Sequence, residues 1–391
     1  MKKINGAIKK IIVKLNIVNI LSIPLYIFRI FPIKNNRILF ENFTGKGYAD
    51  SPKSIAENLI NSNDDYELYW VIKDNKFKKE FPSKIKAIKL YSLKYFYIMA
   101  TAKVWVSNSR FDQYVIKRKQ QFYIQTWHGG LGMKKIEYDA EDKLSEYYKK
   151  VMKKDNKNMN LMVSNSDFCT ELYRRSFRYT GDILEVGTPR NDVLINNKEE
   201  LSKKARKLLN IDKDINILLY APTFRLDYSK NPYDINFEKL KRVLENKTKN
   251  EWIILVKLHP RINNSDELLG KYKNYITDVT NYSDIQELIC ACDMLITDYS
   301  STEMEAMIAD KPVVIYANDV KDYIDERGFS LGFDEIPFKL TENNDELTNY
   351  IEKVNFDDIK KEYSIFMKKV GLKETGKATS SVCDVIREKT R

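Results

Sequence analysis

Short apolar runs alternate with amphipathic stretches along most of the chain, the pattern of strands buried on both faces with helices between them. It predicts strands at 37–43, 67–72, 84–90, 161–164 and 183–186, a strand and turn at 104–109, and a strand running into a glycine turn at 122–130. Helices are predicted at 51–60, 92–102, 138–154 and 167–177, the third of these charged and exposed. A polar segment, 196–210, then reads as a connection. A second alternating series follows, with strands at 215–220, 252–258 and 276–279, and Lys-rich helices close the chain at 355–391 with a loop at 375–381. Strands that alternate with helices imply parallel sheets with both faces covered.

The second series is clearest at 294–316. Met294 to Ile296 is the end of a buried strand, and Asp298, Ser300, Ser301 and Thr302 are helix-capping side chains. Glu303 to Ala309 reads as a helix that Asp310-Lys311-Pro312 ends, and 312–317 as the next strand. In an open parallel sheet, ligands bind at the carboxyl ends of strands, where Asp298 to Thr302 fall. Free N–H groups at a helix start suit a phosphate, although an ordinary capped helix carries the same signature.

Charge changes the picture at the amino terminus. The formal net charge is +11, but residues 1–40 hold eight Lys or Arg and no acid, leaving +3 (58 minus 55) for the rest. In residues 1–15 Ile4, Ala7, Ile8, Ile11, Ile12 and Leu15 recur at helical spacing opposite Lys3, Lys10 and Lys14. That is a basic amphipathic helix of the kind that lies on an anionic membrane. The apolar stretch 17–28, interrupted by Asn19, Ser22 and Pro24, is shorter than the roughly 20 residues needed to span a bilayer. A helix packed on the body of the protein is the alternative. The local basicity argues against a nucleic-acid surface. Four Cys at 169, 290, 292 and 383 show no paired framework, so a reducing compartment is expected, without a metal site.

Both histidines of the chain stand at strand ends, His128 before Gly129-Gly130 and His259 before Pro260-Arg261, one in each series. Alternation places Lys257, His259 and Arg261 on one side of an extended strand, and Arg261 offers a fork suited to a phosphate. Tyr220-Ala-Pro-Thr223-Phe-Arg225 has the same logic of strand, turn, hydroxyl and guanidinium. No Gly-x-x-x-x-Gly-Lys-Ser/Thr, Gly-x-Gly-x-x-Gly or Gly-x-Ser-x-Gly motif occurs. What remains is a basic, hydroxyl-rich site suited to an anionic diphosphate, with no cofactor expected.

Gln-Thr-Trp127-His128-Gly129, Gly187-Thr-Pro-Arg190-Asn-Asp192, Ala221-Pro-Thr223-Phe-Arg225, His259-Pro-Arg261 and Asp298-Tyr-Ser300-Ser301 follow one another in that order. Together they resemble the CDP-glycerol glycerophosphotransferase family of wall teichoic acid synthesis, over roughly residues 35–340. The resemblance implies a GT-B fold, α/β, with two Rossmann-like domains facing across a cleft. Domains are accordingly expected at 35–195 for the acceptor and 196–354 for the donor, between a membrane-associating segment at 1–34 and C-terminal helices at 355–391. It also implies transfer of an alditol phosphate from a CDP-alditol to an undecaprenyl-diphosphate-linked saccharide, with release of CMP, at the cytoplasmic face of the membrane. His128 and His259 would be the essential pair, and Arg261, Ser300 and Ser301 would hold the donor phosphates. Trp127, Gly129, Arg190, Thr223, Arg225, Lys257, Asp298 and Thr302 complete the expected substrate contacts. The family often has an aromatic and Asp after Ser-Ser, where this chain has Met304-Glu305; Glu305 keeps a carboxylate and is expected at the ribose. Arg327-Gly-Phe matches a further family segment in part, and Arg327 is expected among the substrate contacts. The rival readings are a GT-B glycosyltransferase using a nucleotide sugar and a non-catalytic membrane-associated binding protein.

Overall fold

The structure is a computed structural model that describes residues 17–391 apart from 63, 224, 226–233 and 259–268. Among the described residues the strands form two parallel sheets, one in each of two compact units.

The first unit takes in residues up to Gly130, Ile136–Arg190 and Lys373–Arg391. Its strands are β1 (Lys34–Glu41), β2 (Glu67–Ile72), β3 (Ile85–Lys89), β4 (Ala102–Ser107), β5 (Phe122–Gln125), β6 (Leu161–Ser164) and β7 (Asp182–Glu185), in the order β3-β2-β1-β4-β5-β6-β7. The chain runs outward from β1 to β3, then returns to add β4 on the other side of β1. The switch point therefore lies between β1 and β4, which pair parallel from Ile38↔Val104 to Glu41↔Ser107. Ile38, Leu39, Phe40, Val104, Trp105 and Val106 are wholly buried at this centre, as their unbroken apolar run requires.

The second unit comprises Leu131–Lys135 and Asn191–Leu372. Its strands are β8 (Asn216–Tyr220), β9 (Trp252–Val256), β10 (Ile276–Asp278), β11 (Met294–Thr297), β12 (Val313–Tyr316) and β13 (Lys339–Thr341), ordered β10-β9-β8-β11-β12-β13. Here the switch point lies between β8 and β11, paired from Met294↔Leu218 to Ile296↔Tyr220.

Several segments differ from the sequence expectation. Residues 196–210 hold a helix, Lys198–Leu209, rather than an open connection; it packs on the helix Ile285–Ala291 through a narrow stripe that includes Ala205. The stretch 138–154 is broken into a 3₁₀ segment, Glu137–Lys143, and a helix, Glu146–Asn158, that starts where the Ser145 hydroxyl accepts from Tyr148 N. The terminal helices part company. Phe356–Lys369 belongs to the second unit, whereas Ala378–Thr390 lies on the first, with Val382, Cys383 and Ile386 in its core.

The basic helix expected at 1–15 lies outside the described residues. The apolar stretch after it is a helix, Ile17–Ile27, that includes Pro24. It packs on the helix Leu93–Thr101, buries Leu25, and holds Tyr114 O through the Ser22 hydroxyl at 2.9 Å. Its other face leaves Ile20, Ile23, Tyr26 and Ile27 exposed. No helix among the described residues is long and apolar enough to cross a membrane.

Candidate active site

In the first unit the residues after β1, β4 and β5 converge at the switch point. His128 Nδ1 is 2.6 Å from the carbonyl oxygen of Asn108, just past β4. A carbonyl only accepts, so Nδ1 carries the proton and Nε2 keeps its lone pair. Asn108 is fixed in turn: its side chain donates to Asn42 Oδ1 at 2.7 Å and accepts from Phe43 N at 2.9 Å. Phe43 meets the imidazole edge-on at 5.1 Å, and Trp127 packs at 4.2 Å. Burial lowers the His128 pKa below its ordinary value, outweighing the Asn108 carbonyl and the Asp50 carboxylate, while Arg190 lowers it too. The ring is therefore neutral at neutral pH, with a free lone pair on Nε2.

The backbone here is specialised. Trp127 has φ of 54°, a left-handed conformation that turns the chain sharply before His128. A Cβ on Gly130 would lie 2.4 Å from Asn165 Nδ2, whereas one on Gly129 would meet nothing within 4 Å. Gly130 is thus required by close packing, and Gly129 leaves open space. Arg190 donates to Asp50 at 2.5 Å and to the carbonyl of His128 at 3.0 Å, so it clamps the histidine loop from behind. Its motif is held by the returning C-terminal segment: Thr188 N donates to both oxygens of Glu374 at 3.1 Å. Asn108, Asp50 and Glu374 were missed in the sequence. Asn108 alone carried a signal, as the polar residue closing a strand at the switch point.

In the second unit the expected contacts fall into two sets. Arg225 and Asp298 are buried and bound to each other at 2.7 Å. Asp298 also accepts from Thr223 N at 2.9 Å, from the Thr223 hydroxyl at 3.0 Å, and from Tyr299 N at 2.6 Å. Arg225 reaches Asp319 at 2.6 Å through Nε and lies beside Tyr299 and Tyr323, 4.8 and 5.0 Å from their ring centres, while the two rings stack on each other at 3.7 Å. This cluster ties the loops after β8, β11 and β12 together. Asp319 and Tyr323 had no distinguishing sequence signal, and Tyr299 had only its place inside the Asp298–Ser301 motif.

In the other set only part stands closer to solvent. Ser300 and Ser301 are half-buried; the Ser300 hydroxyl accepts from Thr302 N at 3.2 Å and pairs with the Thr302 hydroxyl at 2.6 Å, while Ser301 makes no side-chain cap. Glu305 is buried and accepts from Gln286 at 2.9 Å. Lys257 donates to the carbonyls of Thr280 and Tyr282 at 3.2 and 2.5 Å, and burial lowers its pKa to about 8. Glu303 is wholly buried and, among the described residues, neither carboxylate oxygen has a hydrogen-bond partner; burial holds its pKa well above the usual range. His259 and Arg261 lie outside the described residues. Arg327 ends the helix Val320–Arg327.

A sheet switch point in each unit, one of them presenting a neutral histidine, is the place where open parallel α/β sheets bind their ligands. Residues 25–388 match the family described as CDP-Glycerol:Poly(glycerophosphate) glycerophosphotransferase, and the chain belongs to that family. It is 31% identical over 368 residues to the teichoic acid poly(glycerol phosphate) polymerase of Bacillus subtilis (strain 168), covering 91% of this chain but only 49% of that protein. The chain thus spans about half the length of this relative. With the polymerase of the same description from Bacillus spizizenii it shares 33% identity, covering 86% of this chain and 88% of that one. The solved structure of the wall teichoic acid polymerase TagF, in a variant soaked with CDPG, matches with a TM-score of 0.81 and 28% identity, covering 99% of this chain and 98% of that chain.

Proposed function

We propose that this protein transfers glycerol phosphate from CDP-glycerol to a lipid-linked saccharide or growing teichoic acid acceptor, releasing CMP. The observation that carries the reading is the neutral, oriented His128 in a chain that belongs to the glycerophosphotransferase family along nearly its whole length. The acceptor hydroxyl attacks the β-phosphorus of the donor, the bond to the CMP oxygen breaks, and His128 Nε2 takes the hydroxyl proton. His259 and Arg261, with Ser300 and Ser301, hold the diphosphate. Lys257 sets the strand end that carries His259, and Glu305 takes the ribose. Thr223, Arg225 and Asp298 act by fixing the loops around the donor rather than by touching it. The protein works on the cytoplasmic membrane surface, using residues 1–34 and the exposed apolar face of the helix Ile17–Ile27 as its attachment. In this reading the fold is of the GT-B type, the first unit taking the acceptor and the second the donor.

The test is nucleotide release. Purified protein given CDP-glycerol and an undecaprenyl-linked saccharide should yield CMP and a product heavier by one or more glycerol phosphates. Release of UDP from a UDP-sugar, with no CMP from any CDP-alditol, would place it among glycosyltransferases instead.

A further inference from the structure

The helix Glu146–Asn158 and the turn at 178–181 enclose a second concavity in the first unit, of about 750 Å³, that contains none of the residues of the candidate active site. Its lining is basic: Lys149, Lys150, Lys153, Lys157 and Arg178 face two carboxylates, Glu141 and Glu146, a balance of +3. Both carboxylates are already engaged, Glu146 by Lys149 at 2.9 Å and Glu141 by Arg178 at 3.2 Å. Among the described residues no carboxylate comes within ion-pair distance of Lys150, Lys153 or Lys157, all of them exposed. Tyr179 is packed into the wall of the groove. It is 3% exposed, and its hydroxyl has no hydrogen-bond partner among the described residues. Arg178 is held rigidly, with φ of 52° and its guanidinium 3.7 Å from the Tyr138 ring.

The spacing selects the ligand. Lys149, Lys153 and Lys157 recur every fourth residue, so their stems rise on the order of 6 Å apart along one helix face. A single phosphate can satisfy only one such step. A chain of phosphodiesters joined by three-carbon bridges repeats on the same scale and meets several at once. A membrane surface fits less well, because a lipid-facing helix sets large apolar side chains beside its lysines. Among the exposed large apolar residues none falls between 138 and 181.

We propose that this groove binds the phosphate backbone of an acceptor chain already several glycerol-phosphate units long, making the enzyme favour long acceptors over short ones. The inference rests on the glycerol-phosphate reading above. The test compares the full chain with its Lys150→Glu/Lys153→Glu/Lys157→Glu variant, whose exposed positions leave the fold intact by circular dichroism. Calorimetry should show binding of a glycerol-phosphate oligomer weakened about tenfold, with a flatter salt dependence. KM for a single-unit acceptor should stay the same while KM for the oligomer rises. Unchanged oligomer affinity would overturn the proposal. So would retained oligomer binding with lost adhesion to phosphatidylglycerol vesicles, which would make the groove a lipid contact. If the unsubstituted protein transfers nothing from CDP-glycerol, the functional reading fails, and the calorimetry still decides whether the groove binds the polyanion.

Discussion

At the scale of single residues, burial sets the chemistry. His128 keeps its proton on Nδ1 because the Asn108 carbonyl accepts it, and stays neutral because the buried site disfavours a cation. Its folded pKa lies below the ordinary imidazole value, so the competent form persists as pH falls through about 6.5. The acid limb of kcat/KM for transfer should therefore fall below about pH 6.5, and His128→Ala should lower kcat roughly 10²–10⁴-fold with donor affinity nearly intact. An acid limb above 7, or loss of CDP-glycerol binding in the variant, would remove His128 from the base role. Glu303 is the opposite case. A carboxyl whose pKa is higher folded than unfolded takes stability away once pH exceeds the unfolded value near 4.5, and both its oxygens lack partners among the described residues besides. Glu303→Met should stabilise the fold, by about 1–3 kcal/mol at pH 7 and less at pH 4 in chemical denaturation. Equal gains at the two pH values would show that the carboxyl is not held neutral.

At the scale of elements, what could be read in the sequence follows from how strands and loops encode themselves. The central parallel strands were legible because burial on both faces demands an unbroken apolar run, as Trp252–Val256 and Met294–Thr297 display. The edge strand Lys339–Thr341 buries only Thr341 and left no such mark. Helix Lys198–Leu209 is polar on all but one narrow side and reads as a linker until its partner helix is known. The site was half legible. Motif residues could be placed at strand ends, but nothing in Arg225 or Asp298 reveals that they bind each other, since the pairing depends on β8 and β11 being neighbours. That geometry carries its own expectation. Asp319→Ala leaves the buried Arg225 with only one of its two carboxylates, a loss of about 3–5 kcal/mol for a broken buried pair. Chemical denaturation should show that loss, with CDP-glycerol affinity falling because three loops come loose together. A variant of unchanged stability that still loses donor affinity would instead put Asp319 in direct contact with the donor.

At the scale of the whole molecule the chain does not end where its second sheet ends. Nothing in a Lys-rich tail distinguishes a helix that packs locally from one that crosses back, because the partner surface lies more than three hundred residues earlier. Yet Ala378–Thr390 sits against the helix Asp50–Asn61 and β4, with Cys383 and Ile386 wholly buried among Ile55, Ala56 and Val104. Tyr66 meets Thr390 at 2.9 Å and Arg387 meets Asp64 at 3.0 Å, while Glu374 holds the loop that carries Arg190. The tail is therefore part of the first unit's core and of its site. Ile386→Ala should cost about 2–5 kcal/mol, the usual range for truncating a buried isoleucine. The loss should appear in the first unit: amides of β1, β4 and the helix Asp50–Asn61 should exchange faster with solvent deuterium, and those of β8 and β11 should keep their protection. Glu374→Ala should leave the core intact and loosen the segments around Thr188 and Arg190, lowering kcat without changing donor affinity. Uniform loss of protection across both sheets in Ile386→Ala would mean that the two units unfold as one, and an unaltered first unit would mean that the C-terminal helix is not part of its core.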